Sequence, residues 1–256
     1  MAYRTQRSKR LDSYFRQCDN RTMTWWQTIL DLLFADTCVL CSQTQLRRAE
    51  HLLCAFCWAA LPRNVNACPH CAIPQTSPGI CGRCQLQPLT SGLCIAALRH
   101  HAEARTLVHQ LKYAHNFRAG ISLSRAMGQT VHLRYREERL PGLLIPVPLS
   151  YPRQILRGYN QAAWLAHQLG HELNIPVFHG PLKRKPGTPQ HTLPRHQRLR
   201  LNAASFALRA PLHTPHVAII DDVLTTGATS AALSKLLKAG GAERVDIWCA
   251  TRAVLD

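Results

Sequence analysis

Two patterns in this 256-residue chain have the residue types and spacing to do chemistry. The first is a series of four Cys-x-x-Cys pairs: Cys38/Cys41, Cys54/Cys57, Cys68/Cys71 and Cys81/Cys84. Two residues between thiols suit a metal knuckle better than a structural disulfide, and four thiolates satisfy tetrahedral Zn²⁺. Eight ligands therefore predict two structural Zn²⁺ sites. The simplest pairing joins the first two pairs and the last two pairs as a double zinc ribbon. A cross-braced pairing of alternate pairs is the competing arrangement. All-thiolate ligation also suits an iron–sulfur cluster, whereas a redox dithiol normally stands alone before a helix. His51 and His70 read as surface histidines, because eight thiolates already suffice for two ions. Cys18, Cys94 and Cys249 read as ordinary thiols, the last within an apolar strand.

The second pattern is the segment Val217-Ala-Ile-Ile-Asp-Asp-Val-Leu-Thr-Thr-Gly-Ala-Thr229. Four apolar residues predict a buried strand over Val217–Ile220, ending in two acids and followed by a Thr/Gly turn and a helix. In such a turn Gly227 lets backbone approach a ligand closely, and N–H groups at the helix start bind phosphate. Thr225, Thr226 and Thr229 add hydroxyl donors, with Ala228 between them. Asp221 and Asp222 stand at the carboxyl end of the strand, where ligands bind in open α/β sheets. Acids beside a phosphate cradle must face sugar hydroxyls or a metal, which points to a phosphorylated ribose. The segment is not a P-loop, since Gly-x-x-x-x-Gly-Lys-Ser/Thr occurs nowhere in the chain.

The elements that must position these residues follow from patterning. Residues 1–22 read as a flexible basic leader, and Met23 is an alternative start. Trp25, Ile29, Leu32 and Leu33 recur at helical spacing, so residues 23–36 read as a short amphipathic helix. Residues 37–95 carry the cysteine pairs and five prolines, too loop-like to fold on an apolar core alone. From residue 96 to 256 strands alternate with helices. Helices are expected to end near Tyr113 and to cover Ile121–Arg136, Ala162–Leu173 and 228–239. Strands are expected at Leu143–Val147, Val177–Phe178, Val217–Ile220 and Val245–Ala250. That alternation predicts an α/β fold, a parallel sheet with helices on both faces, beside a small N-terminal zinc module.

Lys and Arg number 31 against 14 Asp and Glu, a formal charge of +17. Charge of that size points to polyanions: phosphorylated substrates, nucleic acid, or both. The apolar content of 46% excludes a disordered chain. No run approaches the ~20 apolar residues of a membrane span, so no membrane insertion is expected. The stretch after residue 22 is broken by Gln27 and Asp31 and lacks a cleavage site, so no secretory signal is read. Clustered thiols and an odd cysteine count fit a reducing compartment, hence a cytoplasmic protein.

The thirteen residues Val217–Thr229 match, at every position, the phosphoribosyl-pyrophosphate (PRPP) binding motif of type I phosphoribosyltransferases. The match extends to Pro146-Val147-Pro148-Leu149, to Arg157-Gly158-Tyr159-Asn160-Gln161, and to Gln110-Leu111-Lys112-Tyr113. With Gln190 through Arg198 and Asn202 to Phe206, the chain resembles the ComF/GntX family over residues 37–253. That family joins a type I phosphoribosyltransferase-like domain to an N-terminal double zinc ribbon. The resemblance implies that Asp221 and Asp222 hold the ribose hydroxyls of PRPP and that Thr225–Thr229 hold its 5′-phosphate. Arg153 and Arg157, in the loop after the Leu143–Val147 strand, are the expected pyrophosphate donors, since a guanidinium binds phosphate oxygens in pairs. Mg²⁺ is implied with PRPP, because this ion prefers substrate phosphates to a full protein cage. Thr225 stands where some purine enzymes carry an acid, which disfavours that mechanism. The resemblance also implies a role in DNA uptake or utilisation, alongside other DNA-uptake proteins. Two readings stand: phosphoribosyl transfer to an unidentified acceptor, or a non-catalytic PRPP-responsive protein that binds single-stranded DNA. Lys183, Arg184, Lys185, Arg195, Arg198, Arg200 and Arg209 lie in an acid-free stretch between Glu172 and Asp221. It serves either as a loop closing over PRPP or as a nucleic-acid track.

Overall fold

A computed structural model describes residues 36–45, 52–86, 92–149, 155–178, 182–184, 206–208 and 211–254. The basic leader, most of the amphipathic segment, Arg153, and Lys185 to Arg200 lie outside the described residues. So do His51 and Arg209.

The cysteine-rich part begins with an antiparallel ladder of β1 (Asp36–Thr37) and β2 (Thr44–Gln45). Two single-turn helices follow, α1 (Ala55–Ala59) and α2 (Gly82–Leu86). The Cys54 sulfur caps α1 by accepting the Cys57 N–H at 3.4 Å, so one residue both starts the helix and aims a ligand. Little apolar material supports the second half: Cys68, Cys71 and Cys84 themselves form its buried centre.

The rest of the chain runs β3 (Cys94–Arg99), α3 (Ala102–Tyr113), α4 (Phe117–Arg134), β4 (Leu143–Pro146) and α5 (Gln161–Leu173). Next come β5 (Leu182–Arg184) and β6 (Phe206–Leu208), an antiparallel ribbon. The chain returns through β7 (His216–Leu224), α6 (Ala228–Ala239) and β8 (Arg244–Arg252). Four strands form one sheet in the order β3-β8-β7-β4, every pairing parallel. Val177 adds only an isolated bridge to Leu144, where a short strand was expected.

Side chains alternate across a strand, and the two faces have separate cores. Ala218, Ile220, Trp248 and Ala250 face Leu107, Leu111, Leu123 and Leu165 of α3, α4 and α5. Val217, Ile219, Val245 and Ile247 face Leu233 and Leu237 of α6. Helices therefore cover both faces, as the alternating pattern predicts. The cysteine-rich part docks on this body from both sides: Leu53, Cys57 and Leu61 join the first core and Ala72 the second.

At the amino end of the sheet sits a buried polar knot. The Asp246 carboxylate accepts from Tyr135 Oη at 2.5 Å, from the Leu93 N–H at 2.6 Å and from Arg244 Nε at 3.1 Å. His216 Nε2 lies 2.6 Å from the same group. Burial alone would raise this carboxyl, but those donors hold it below the usual carboxylate range. The knot ties β8 to α4 and β7 on the side away from the Thr/Gly turn.

Candidate functional site

The strand carrying the two acids is longer than its apolar run. β7 continues through Asp221 and Asp222 to Leu224, because β8 offers partners all the way. Asp221 stands opposite Cys249, Val223 opposite Thr251 and Leu224 opposite Arg252. The Thr251 hydroxyl adds a bond to the Asp222 carbonyl at 3.3 Å. The acids thus belong to the sheet and do not follow it.

Neighbouring strand residues point to opposite faces, and the acids have different surroundings. Asp222 is buried at 8% exposure and its Oδ2 lies 3.0 Å from Lys112 Nζ at the end of α3. Asp221 is half-buried, and its Oδ1 accepts the Asp222 N–H at 2.9 Å. Burial, and then the Asp222 charge beside it, push the Asp221 carboxyl up to about 7.

The turn after β7 brings the chain round to α6. Gly227 takes φ +79°, the left-handed region that favours glycine, and serves as the N-cap of α6. A Cβ there meets nothing closer than Leu224 Cδ1 at 4.0 Å, so the requirement is the backbone angle and not space. Thr226 Oγ1 accepts the Ala228 N–H at 3.3 Å, and the Thr225 side chain stands exposed. The first N–H groups of α6 lack helical partners and carry the positive end of the helix dipole, a phosphate-binding arrangement. Thr225, Thr226, Gly227, Ala228 and Thr229 are therefore together at one corner, beside Asp221 and Asp222.

The segment after β4 is built by its own side chains. Gly158 takes φ +69°. Asn160 Oδ1 caps α5 by accepting from Ala162 and Ala163 at 3.0 and 3.3 Å. Asn160 Nδ2 donates to the Val147 carbonyl at 3.0 Å, fixing the start of α5 to the end of β4. Tyr159 donates its hydroxyl to the Leu111 carbonyl. The Arg157 guanidinium lies 5.2 Å above the Tyr113 ring and donates to Gln161 Oε1 at 3.3 Å. Trp164 stacks on Phe117 with ring centres 5.7 Å apart, as packing residues do.

The eight cysteines gather into two groups, Cys38/Cys41/Cys54/Cys57 and Cys68/Cys71/Cys81/Cys84, with ligand atoms within 4.8 Å of one another. Consecutive pairs thus share a site, and the cross-braced alternative does not hold. The Cys41–Cys54 and Cys71–Cys81 sulfurs are 3.8 and 3.7 Å apart. Thiolates on a tetrahedron of ~2.3 Å Zn–S bonds stand about 3.8 Å apart, so the groups fit Zn²⁺. Burial opposes ionisation of Cys38 and Cys68, yet backbone N–H donors draw them down to about 6 and about 7. Burial and the neighbouring thiols raise Cys57 and Cys84 in the same groups, so each group offers one readily ionised thiol and a metal would draw the others to thiolate.

Sequence reasoning missed three residues. Lys112, part of the Gln110–Tyr113 segment, had an available signal but no assigned role. Arg252, 5% exposed, donates to carbonyls of the turn and of the cysteine module and had no sequence signal. His70 is half-buried, not a surface histidine: it walls a cavity with Cys71 and Thr226, because Ala72 packs this knuckle against the second core.

A double zinc ribbon domain family model matches residues 29–85. DNA utilization protein YhgH of Salmonella typhimurium is 32% identical over 221 residues, covering 85% of this chain and 97% of the relative. Competence protein F of Haemophilus influenzae is 34% identical over 225 residues, covering 84% and 96%. The chain belongs to the ComF family. Competence protein ComFC of Streptococcus pneumoniae, 25% identical, aligns over 84% of this chain and 99% of its own length. In this ComF protein the parallel sheet with helices on both faces forms the larger part of the described fold, and the cysteine groups form a zinc-ribbon module.

Proposed function

We propose that this ComF protein is a cytoplasmic PRPP-binding protein of DNA utilisation, with its site at the β7–α6 corner. The observation that carries the reading is the joining of Asp221, Asp222 and the Thr225–Thr229 turn in one unbroken strand–turn–helix unit. In this reading the turn holds the 5′-phosphate through backbone N–H groups and the Thr226 and Thr229 hydroxyls. Asp221 and Asp222 accept the ribose hydroxyls. Lys112 holds the Asp222 carboxylate in place through its ion pair. Asp221, the less enclosed carboxylate, would face Mg²⁺ brought with PRPP, which would offset pyrophosphate charge. Arg157, ordered over the Tyr113 ring, is the expected pyrophosphate donor. The chemistry such a site supports is transfer of phosphoribosyl from PRPP to an acceptor, and DNA use in the relatives' names supports the cellular role.

Calorimetry with PRPP and Mg²⁺ tests the site. The wild type is expected to bind and to melt at higher temperature, because the ligand stabilises only the folded state. The double substitution Asp221→Ala/Asp222→Ala is expected to lose both effects while keeping its circular dichroism. Equal affinity in that variant would place PRPP elsewhere.

A second reading, a PRPP-responsive protein binding single-stranded DNA without catalysis, is favoured by the +17 charge. Pyrophosphate release in a screen of acceptors, with and without DNA, separates the two.

A further inference from the structure

The second cysteine group and the turn after β7 are joined by one buried side chain. Arg252 lies at the end of β8, and its Nε donates to the Cys71 carbonyl at 2.9 Å. Its Nη1 donates to the Leu224 and Thr225 carbonyls at 3.1 and 2.6 Å, and also to Ala253. One face of the guanidinium thus serves the metal knuckle and the other serves the turn.

Around Arg252 the knuckle is sutured to the sheet. The Cys94 N–H donates to the Pro69 carbonyl at 2.7 Å, and Asn64 bridges the two parts, its N–H donating to the Ala97 carbonyl of β3 at 3.1 Å and its Nδ2 to the Ala72 carbonyl at 2.9 Å. Between knuckle and turn lies a small cleft, open to solvent. His70, Cys71 and Arg83 line it from the knuckle; Thr226, Gly227 and Arg252 line it from the turn. His70 Nδ1 is buried there with no hydrogen-bond partner.

We infer that metal at Cys68/Cys71/Cys81/Cys84 and ligand at the Thr225–Thr229 turn are energetically coupled through Arg252. The part of this that concerns PRPP rests on the proposed function; the part that concerns order in the turn does not. Two states give the coupling its content. With the four thiolates closed on a metal, the Cys71 carbonyl is fixed and Arg252 has acceptors on both sides. With the metal gone, a knuckle without an apolar core of its own opens. Arg252 then loses its Cys71 acceptor while buried, and the Leu224 and Thr225 carbonyls lose a positioned donor. Those carbonyls belong to the same peptide chain whose N–H groups must point at phosphate. Because linkage is reciprocal, ligand at the turn tightens metal binding to this group and not to the other. The first group, Cys38/Cys41/Cys54/Cys57, makes no bond to Arg252 and provides the control.

Hydrogen exchange of peptides covering residues 222–231 tests this in the full chain. The substitution pair Cys81→Ser/Cys84→Ser is expected to lower protection there at least tenfold. The pair Cys38→Ser/Cys41→Ser is expected to leave it within twofold. Arg252→Lys keeps both cysteine groups and the charge but cannot span both sides, and is expected to lower protection with zinc content unchanged. In the wild type, PRPP with Mg²⁺ is expected to raise at least fivefold the chelator concentration that removes, at equilibrium, one of two zinc ions. Unchanged protection in both Cys81→Ser/Cys84→Ser and Arg252→Lys would overturn the coupling. If wild type fails to bind PRPP, the proposed ligand is wrong, and the exchange result still decides the coupling.

Discussion

Asp221 sits beside a second carboxylate at the end of β7, and its position makes a testable demand. Burial and the adjacent Asp222 charge raise its carboxyl to about 7. The folded chain therefore keeps a proton that the unfolded chain loses near pH 4, so stability falls as pH rises from about 4 to about 7. Asp221→Asn removes that loss. Its melting temperature is expected to exceed wild type by about 2–4 °C at pH 8. The raised carboxyl is worth at most ~4 kcal/mol; solvent at this half-buried site cuts that to about 1 kcal/mol, and that amount moves such a chain by about 2–4 °C. At pH 4 the two should melt together. A gap that does not grow between pH 4 and pH 8 would refute the assignment. The same variant should bind PRPP more weakly, since an amide cannot supply the carboxylate. At this scale the chain was legible where the chemistry is contiguous. Asp221, Asp222 and the threonines adjoin in sequence, and the fold keeps them adjacent. Lys112 and Arg252 were hidden, because each reaches its partner from a remote segment: Arg252 and Cys71 are 181 residues apart.

Among the elements, the cysteine knuckles depend most on something other than apolar burial. Cys68, Cys71 and Cys84 are at once ligands and core. Protein purified without added metal is expected to contain two zinc ions per chain by plasma emission. Chelation should unfold residues 37–86 before the sheet. One zinc per chain would leave one group unmetallated, and iron with a brown colour would replace the zinc assignment. Element bounds were legible where capping is strong: α6 occupies 228–239, from Gly227 to the Gly240-Gly241 stop. Helix α4 begins at Phe117, earlier than its apolar spacing suggests, because Asn116 Oδ1 accepts from Arg118 and Ala119. Strand β3 escaped notice beside the cysteines. Buried residues on both its faces leave a short apolar run with no alternation to read.

At the scale of the whole molecule the +17 charge governs association. Weak, sequence-indifferent binding to single-stranded DNA is expected, with affinity falling with salt at a log–log slope near −0.7 per phosphate contacted. Substituting Lys183, Arg184 and Lys185 by glutamine should lower both affinity and slope in gel shifts at roughly 50 and 200 mM salt. No shift at the lower salt with micromolar protein would assign the charge to small phosphorylated ligands. Complete competition by PRPP would place DNA and PRPP on one surface. The sheet order has its own effect on how the molecule comes into being. β8 is the last of the four strands to leave the ribosome, yet it lies inside the sheet between β3 and β7. β3 has no strand to pair with until some 150 residues later have been made, as the Leu93–Asp246 bond across 153 positions measures. Pairing over such separations is slow. The zinc knuckles, made first and closed by metal over short loops, are expected to mature on the nascent chain while the sheet waits. Until β8 inserts, β3 and β7 hold exposed apolar edges, the form in which a chain is most open to chaperones and to aggregation.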